Sequence, residues 1–70
     1  MPDIEMHPIA SSMMKAVGHA GKTLYITFKS GITYAYHRAA GHLLEGLLKA
    51  KSPGVYFSEH IRNNYRGVPV

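Results

Sequence analysis

Alternating residues in the middle of the chain predict β-structure. Apolar side chains alternate with hydroxyl-bearing ones across residues 23–28, which indicates a strand with one apolar face. Residues 13–19 predict a strand before it, and residues 32–37 predict a strand after it. The three segments together predict an antiparallel meander.

The turn between the second and third predicted strands sets their register. Lys29-Ser30-Gly31 is typical of a three-residue hairpin loop in which the glycine adopts a positive φ. This loop predicts the cross-strand pairs Phe28–Ile32, Thr27–Thr33, Ile26–Tyr34, Tyr25–Ala35, Leu24–Tyr36 and Thr23–His37. Tyr34 and Tyr36 then lie on the core side, and Tyr25 faces outward. A two-residue loop would swap the faces of the third strand and expose both tyrosines as stacking residues.

The hydrophobic pattern changes to a helical period in the second half. Residues 42–51 predict a helix with one apolar stripe, formed by Leu43, Leu44, Leu47 and Leu48. Within it, Gly46 offers a close approach to the sheet. Ser52-Pro53-Gly54 then breaks the chain, with Ser52 placed as an N-cap and Pro53 at the first helical position.

A second helix is predicted over residues 55–65. Phe57, Ile61 and Tyr65 recur every four residues and face the core, whereas Arg62 and Arg66 share a wetter face. The predicted fold is therefore α+β, a three-stranded antiparallel meander followed by two helices packed on one face (β-β-β-α-α).

Length and composition predict one small domain. The chain has 70 residues, 46% of them apolar, and no cysteine, so its core is thin and no disulfide supports it. We predict a flexible N-terminal arm over residues 1–10, a domain over residues 11–66 and a tail over residues 67–70. No apolar run approaches the ~20 residues of a membrane span, and no leader is predicted, so a cytoplasmic location without membrane contact is expected.

The charge balance favours a nucleic-acid partner. Eight Lys and Arg against four Asp and Glu give a net charge of +4. Phosphates are bound by cations that displace counterions, and bases stack on exposed aromatic rings. The candidate binding residues are Lys22, Tyr25, Lys29, His37, Arg38, Lys51, Arg62 and Arg66. The alternative is that the charge serves solubility alone.

The sequence predicts neither catalysis nor a metal site. Its five histidines are scattered without metal-ligand spacing. Ser58, Glu59 and His60 occupy adjacent helical positions that point in different directions, so they cannot act as a hydrogen-bonded triad. We therefore predict a protein that is not an enzyme and needs no cofactor or metal.

An ordered set of motifs resembles the KTSC domain, a short module found at the carboxyl end of some lysyl-tRNA synthetases and as stand-alone bacterial or phage proteins. The set comprises Ser11-Ser12, Val17-Gly18, Phe28 with Gly31, the Tyr34-x-Tyr36 pair, the Leu-rich helix, Ser52-Pro53-Gly54, Tyr56-Phe57, Ile61-Arg62 and Tyr65. The resemblance implies a compact β-rich α+β domain, with RNA binding as the usual suggestion. A Val-Pro pair commonly follows Tyr-x-Tyr in that family, whereas His37-Arg38 follows it here.

A protein-interaction module is the alternative function. A small domain with a thin core gains stability by pairing, which favours a homo-oligomer or a small regulator. Relatives encoded by phages suggest an inhibitor that docks on a larger host protein. Four methionines lie at or before position 14, and their adaptable side chains suit such a surface.

Overall fold

The computed structural model describes residues 5–70 and contains a five-stranded antiparallel sheet with helices on one face. The strands are β1 (His7–Pro8), β2 (Met14–Ala20), β3 (Thr23–Phe28), β4 (Thr33–His37) and β5 (Gly67–Pro69). The helices are α1 (His42–Lys49) and α2 (Pro53–Phe57), and α2 continues as a π-helical turn (Ser58–Arg62). The strand order in the sheet follows the order in the chain.

The α+β class, with an antiparallel sheet and two helices, is confirmed, but the predicted count of three strands is wrong. The two additional strands, β1 and β5, form the edges of the sheet, and each contains a proline. Proline lacks a backbone N–H and is tolerated in edge strands, and segments of two or three residues show no alternation. β1 lies within the segment predicted as an arm, of which residues 1–4 fall outside the described residues.

The hairpin register is confirmed. The ladder joins Thr23 to His37, Leu24 to Tyr36, Tyr25 to Ala35, Ile26 to Tyr34 and Thr27 to Thr33. The Phe28 N–H donates to the Ile32 carbonyl at 3.0 Å, and Gly31 adopts the left-handed φ of +94° that the three-residue loop requires. Tyr34 and Tyr36 therefore lie on the helix-covered face, as the register predicts.

The core fills the space between this face and the helices. Its buried members are Met14, Val17, Leu24, Ile26, Tyr36, Ala39, Leu43, Leu47, Phe57 and Ile61. The predicted leucine stripe is correct for Leu43 and Leu47, which are buried, but Leu48 is 42% exposed because it lies about 100° further round α1 than Leu47. Phe57 and Ile61 are buried, as predicted from their spacing.

Gly46 serves the packing of the two helices rather than the sheet. The Tyr56 ring of α2 occupies the space that a Cβ at position 46 would need. The same ring packs against His60, with 4.4 Å between the ring centroids. The predicted close approach at Gly46 therefore exists, but its partner is an aromatic side chain from α2.

The β3–β4 turn is tied to the start of β2. The Lys29 N–H donates to the Met13 carbonyl at 3.0 Å, and the Ser11 hydroxyl accepts from the Met13 and Met14 N–H groups at 3.2 and 3.3 Å. These bonds hold Met13 beside the turn, and the Met13 side chain also lies next to Gly54 of α2.

Candidate nucleic-acid interface

Three predicted residues meet where β3 begins and β4 ends. Thr23 is paired with His37, so the residues one step beyond them, Lys22 and Arg38, are also neighbours. The Ala39 N–H donates to the Lys22 carbonyl at 2.8 Å and fixes this arrangement. Lys22, His37 and Arg38 are all exposed.

Arg66 joins the same end of the sheet from the neighbouring strand. It precedes Gly67, whose partner across the β4–β5 ladder is Tyr36, so Arg66 lies alongside His37. Arg66 is exposed as well. We call this group, consisting of Lys22, His37, Arg38 and Arg66, the basic end.

Tyr25 lies one row further along the face that the helices leave uncovered. It sits between Gly18 on β2 and Ala35 on β4, neither of which has a side chain beyond Cβ. Ala35 is only 1% exposed although no helix covers this face, so neighbouring sheet side chains such as Tyr25 must shield it. Tyr25 is half-buried and faces outward, as the register predicts.

Hydroxyl groups connect the strands on either side of Tyr25. The Thr23 hydroxyl lies 3.3 Å from His37 Nδ1, and the hydroxyls of Thr27 and Thr33 are 2.7 Å apart. These contacts orient His37 at the rim of the open face and give that face a polar surface around the ring.

The acidic side chains of residues 5–70 are Glu5, Glu45 and Glu59, and none of them belongs to β3, β4 or β5. Glu45 belongs to α1 and Glu59 to the π-helical turn, and Glu5 precedes β1. Adjacent strands are about 4.8 Å apart, so β1 and β4 are separated by roughly 14 Å across the sheet. His37, Arg38 and Arg66 therefore lie together on the β4–β5 side, and neither strand carries an acidic side chain.

The remaining predicted cations do not join the basic end. Lys51 lies between α1 and α2, and Lys29 occupies the turn at the opposite end of β3. Arg62 and Arg66 do not share a helix face, because the helix ends at Arg62 and the chain then turns into β5. The eight predicted residues thus belong to more than one surface.

Arg62 instead lines a groove between the β3–β4 hairpin and the C-terminal helices. The groove has a volume of about 480 Å³ and is lined by Met13, Phe28, Ser30, Tyr34, Tyr36, Phe57 and Arg62. We call it the aromatic groove. The sequence predicts Tyr34 and Tyr36 on this face but does not predict the groove, because Met13 and Arg62 reach it from distant parts of the chain.

The sequence and the fold are both similar to those of known proteins. The family model described as "KTSC domain" matches residues 10–65. The chain belongs to the KTSC domain family. A crystal structure of a KTSC domain protein from Yersinia pestis has 21% sequence identity and a TM-score of 0.88, with 97% of this chain and 99% of that chain covered. A search of curated proteins finds no match.

In this KTSC domain, the loop after Tyr-x-Tyr begins with His37-Arg38 and has an unusual backbone conformation at Arg38. Arg38 adopts a left-handed φ of +62°. Proline is locked near a φ of −65°, so the Val-Pro that is common in the family could not follow this backbone path at position 38. Arg38 therefore brings a positive charge to the basic end from a backbone conformation that proline does not adopt.

The Tyr-x-Tyr pair places two phenols near Arg62. Burial raises the pKa of the Tyr36 hydroxyl above its ordinary value of 10.0, and the neighbouring Tyr34 adds to the rise, whereas Arg62 lowers it. The Tyr36 hydroxyl therefore remains a neutral hydrogen-bond donor at physiological pH.

Stability at alkaline pH should report this environment of Tyr36. Above pH 10 the folded protein keeps a proton that the unfolded chain loses, so the free energy of unfolding should fall as pH rises through the folded pKa. Urea denaturation at several pH values from about 9 to about 11, on either side of the ordinary pKa of 10.0, measures how steeply the free energy of unfolding falls with pH. The variant Tyr36→Phe should show a shallower decline, and an unchanged slope would contradict the assignment.

The described part of the chain shows neither a membrane span nor a metal cluster. Within residues 5–70 no helix is long and apolar enough to cross a bilayer. The same residues contain no group of three or more His, Cys, Asp or Glu side chains placed to hold a metal ion.

Proposed function

We propose that this KTSC domain is a non-enzymatic module that binds single-stranded nucleic acid, with RNA favoured, through the basic end and the adjoining open face of the sheet. The observation that carries the proposal is the sheet register, which places His37 in the row next to Tyr25 and brings Lys22, Arg38 and Arg66 to the same end of the sheet. Cations in this position neutralise phosphates, and the tyrosine ring offers a base a stacking surface.

The shape of the open face favours a single strand. Gly18 and Ala35 flank Tyr25 in its row, so a flat base can approach the ring without meeting a bulky neighbour on either adjacent strand. The hydroxyls of Thr23, Thr27 and Thr33 surround the ring and offer hydrogen bonds to sugar or base edges. A duplex hides its base faces and would contact only the cations.

The salt dependence of RNA binding tests the basic end. We expect a labelled single-stranded RNA to bind in a fluorescence anisotropy titration, with an affinity that falls steeply as salt rises. The log-log slope changes by about 0.7 for each phosphate contact with a single strand. The double variant Arg38→Gln/Arg66→Gln should therefore reduce the magnitude of the slope by about 1.4.

Lys51→Gln provides the matched control. It removes an exposed cation that lies outside the basic end, so it should leave the slope close to that of the unchanged protein. Glutamine is preferred at position 38 because it keeps a Cβ on the left-handed backbone, whereas glycine would also relax that backbone. Absence of RNA binding at low salt would overturn the proposed function.

Self-association through β5 is the second candidate function. β5 is an edge strand, and Val68 within it and Val70 just after it are 41% and 68% exposed. Exposed edges with apolar side chains favour pairing with another strand. Light scattering should show a dimer that Val68→Lys converts to a monomer, and a monomeric unchanged protein would exclude this candidate.

A further inference from the structure

The floor of the aromatic groove is a closed set of four aromatic rings. Phe28 contacts Tyr34 and Phe57 edge to face, with centroid distances of 5.5 and 5.6 Å. Tyr36 completes the circuit by contacting Phe57 at 5.8 Å and Tyr34 at 6.5 Å. Since each ring is held by two others, the floor is preformed and needs little rearrangement to receive a ligand.

The polar groups of the groove are hydrogen-bond donors. Arg62 brings a permanent positive charge, and Ser30, Tyr34 and Tyr36 bring hydroxyls. The described residues that line the groove include no acidic side chain. Lys29, next to Ser30 in the turn, adds a second exposed cation close to the groove.

These features together select a ligand class. The face of an aromatic ring attracts cations, but Arg62 disfavours a positively charged ligand at this site. A guanidinium group with neighbouring hydroxyls suits a planar oxyanion, and the four rings suit a flat apolar body. The groove is open to solvent on one side, and its volume of about 480 Å³ leaves room for a small ring compound lying on the aromatic floor.

We infer that the aromatic groove binds a small organic anion in which an unsaturated ring carries a phosphate or carboxylate group. The ring packs on Phe28 and Tyr34, whose side chains are only partly buried, and the oxyanion meets Arg62. This site is on the helix-covered side of the sheet, and its lining includes no residue of the basic end, so it does not depend on the proposed function.

Calorimetry and NMR on the full chain test this inference. Adenosine 5′-monophosphate and indole-3-carboxylate are the two probes, and they distinguish a phosphate from a carboxylate as the preferred anion. Adenosine and inorganic phosphate, which have only the ring or only the anion, should each bind at least about tenfold more weakly than the monophosphate. The ring resonances of Tyr34, Tyr36 and Phe57 should shift on binding.

Two variants assign the roles within the groove. Arg62→Gln should weaken the preferred probe roughly 10- to 100-fold, because a charge-assisted hydrogen bond is lost. Tyr34→Phe keeps the ring and removes the hydroxyl, so it should weaken the probe by less. Arg66→Gln is the matched control, since it removes an arginine at the basic end and should leave probe binding unchanged.

Each outcome has a defined meaning. Binding of either probe that Arg62→Gln weakens supports the inference, and the probe that binds more tightly identifies the preferred anion. Failure of both probes, or affinity that Arg62→Gln does not change, overturns it. RNA binding that survives Arg62→Gln and is weakened by Arg66→Gln would show that the two sites are separate, so failure at one is distinguishable from failure at the other.

Discussion

Ile61→Ala should bring the domain close to unfolding. Ile61 lies in the π-helical turn, is fully buried, and belongs to the same core as Leu24 and Ile26. Truncating a buried isoleucine costs about 2–5 kcal/mol, because the lost burial adds to a cavity that neighbours fill only partly. A chain of 70 residues has a stability of roughly 4–10 kcal/mol, so this loss is a large share of the total.

Urea denaturation followed by circular dichroism measures the effect, with Val55→Ala as the control. Val55 lies in α2 and is 55% exposed. The variant Val55→Ala therefore also removes methyl groups, but from the surface and not from the core. It should change the free energy of unfolding by less than about 0.5 kcal/mol. A comparable loss in both variants would contradict the placement of Ile61 at the centre of the core.

The central hairpin could be predicted because its constraints are local. Alternation defines the faces of β3, and the three-residue loop with Gly31 fixes which residue of β4 faces each residue of β3. A register shift by one would have moved Tyr34 and Tyr36 to the other face. These local rules were sufficient to place the Tyr-x-Tyr pair on the side that the helices cover.

The edges of the fold depend on contacts that sequence periodicity does not encode. β1 and β5 become strands because longer neighbours offer them unpaired backbone groups, not because of a pattern of their own. Likewise, residues 55–65 were predicted as one helix, but the chain forms α2 and a π-helical turn that ends at Arg62. That earlier end separates Arg62 from Arg66 and assigns them to different surfaces.

The sequence predicts which residues belong to the candidate site, but it does not predict that they lie on separate surfaces. The sequence identifies the cations and the outward-facing Tyr25, but it does not show which cations become neighbours in the fold. Pairing between β3, β4 and β5 brings Lys22, Arg38 and Arg66 together, whereas Lys51 stays apart. The aromatic groove required knowing that Met13 and the hairpin turn meet the end of the helices.

The β4 strand links the two proposed sites. Its outward residues, Ala35 and His37, belong to the open face, and its inward residues, Tyr34 and Tyr36, line the aromatic groove. A displaced Tyr36 ring would therefore alter the groove directly. Such a displacement would reach the basic end through the backbones of β4 and β5, because Tyr36 precedes His37 and Gly67 follows Arg66.

Gly67→Ala should destabilise the domain by forcing such a displacement. The Tyr36 ring lies across Gly67 on β5, and a Cβ at position 67 would stand 2.8 Å from Tyr36 Cε2 and 3.0 Å from its hydroxyl. Tyr36 is 5% exposed and packs against Phe57, so the ring has little room to retreat. Overpacking of this kind costs about 1–3 kcal/mol.

Gly41→Ala is the matched control for this prediction. A Cβ there would be 3.9 Å from the His19 ring, an ordinary contact, and both variants gain the same methyl group and restrict the unfolded chain alike. The difference between the two in urea denaturation therefore isolates the clash with Tyr36. Gly67→Ala should also shift the Tyr36 and Phe57 ring resonances and weaken the preferred groove probe. Equal stability of the two variants would mean that β5 does not hold Gly67 against the Tyr36 ring.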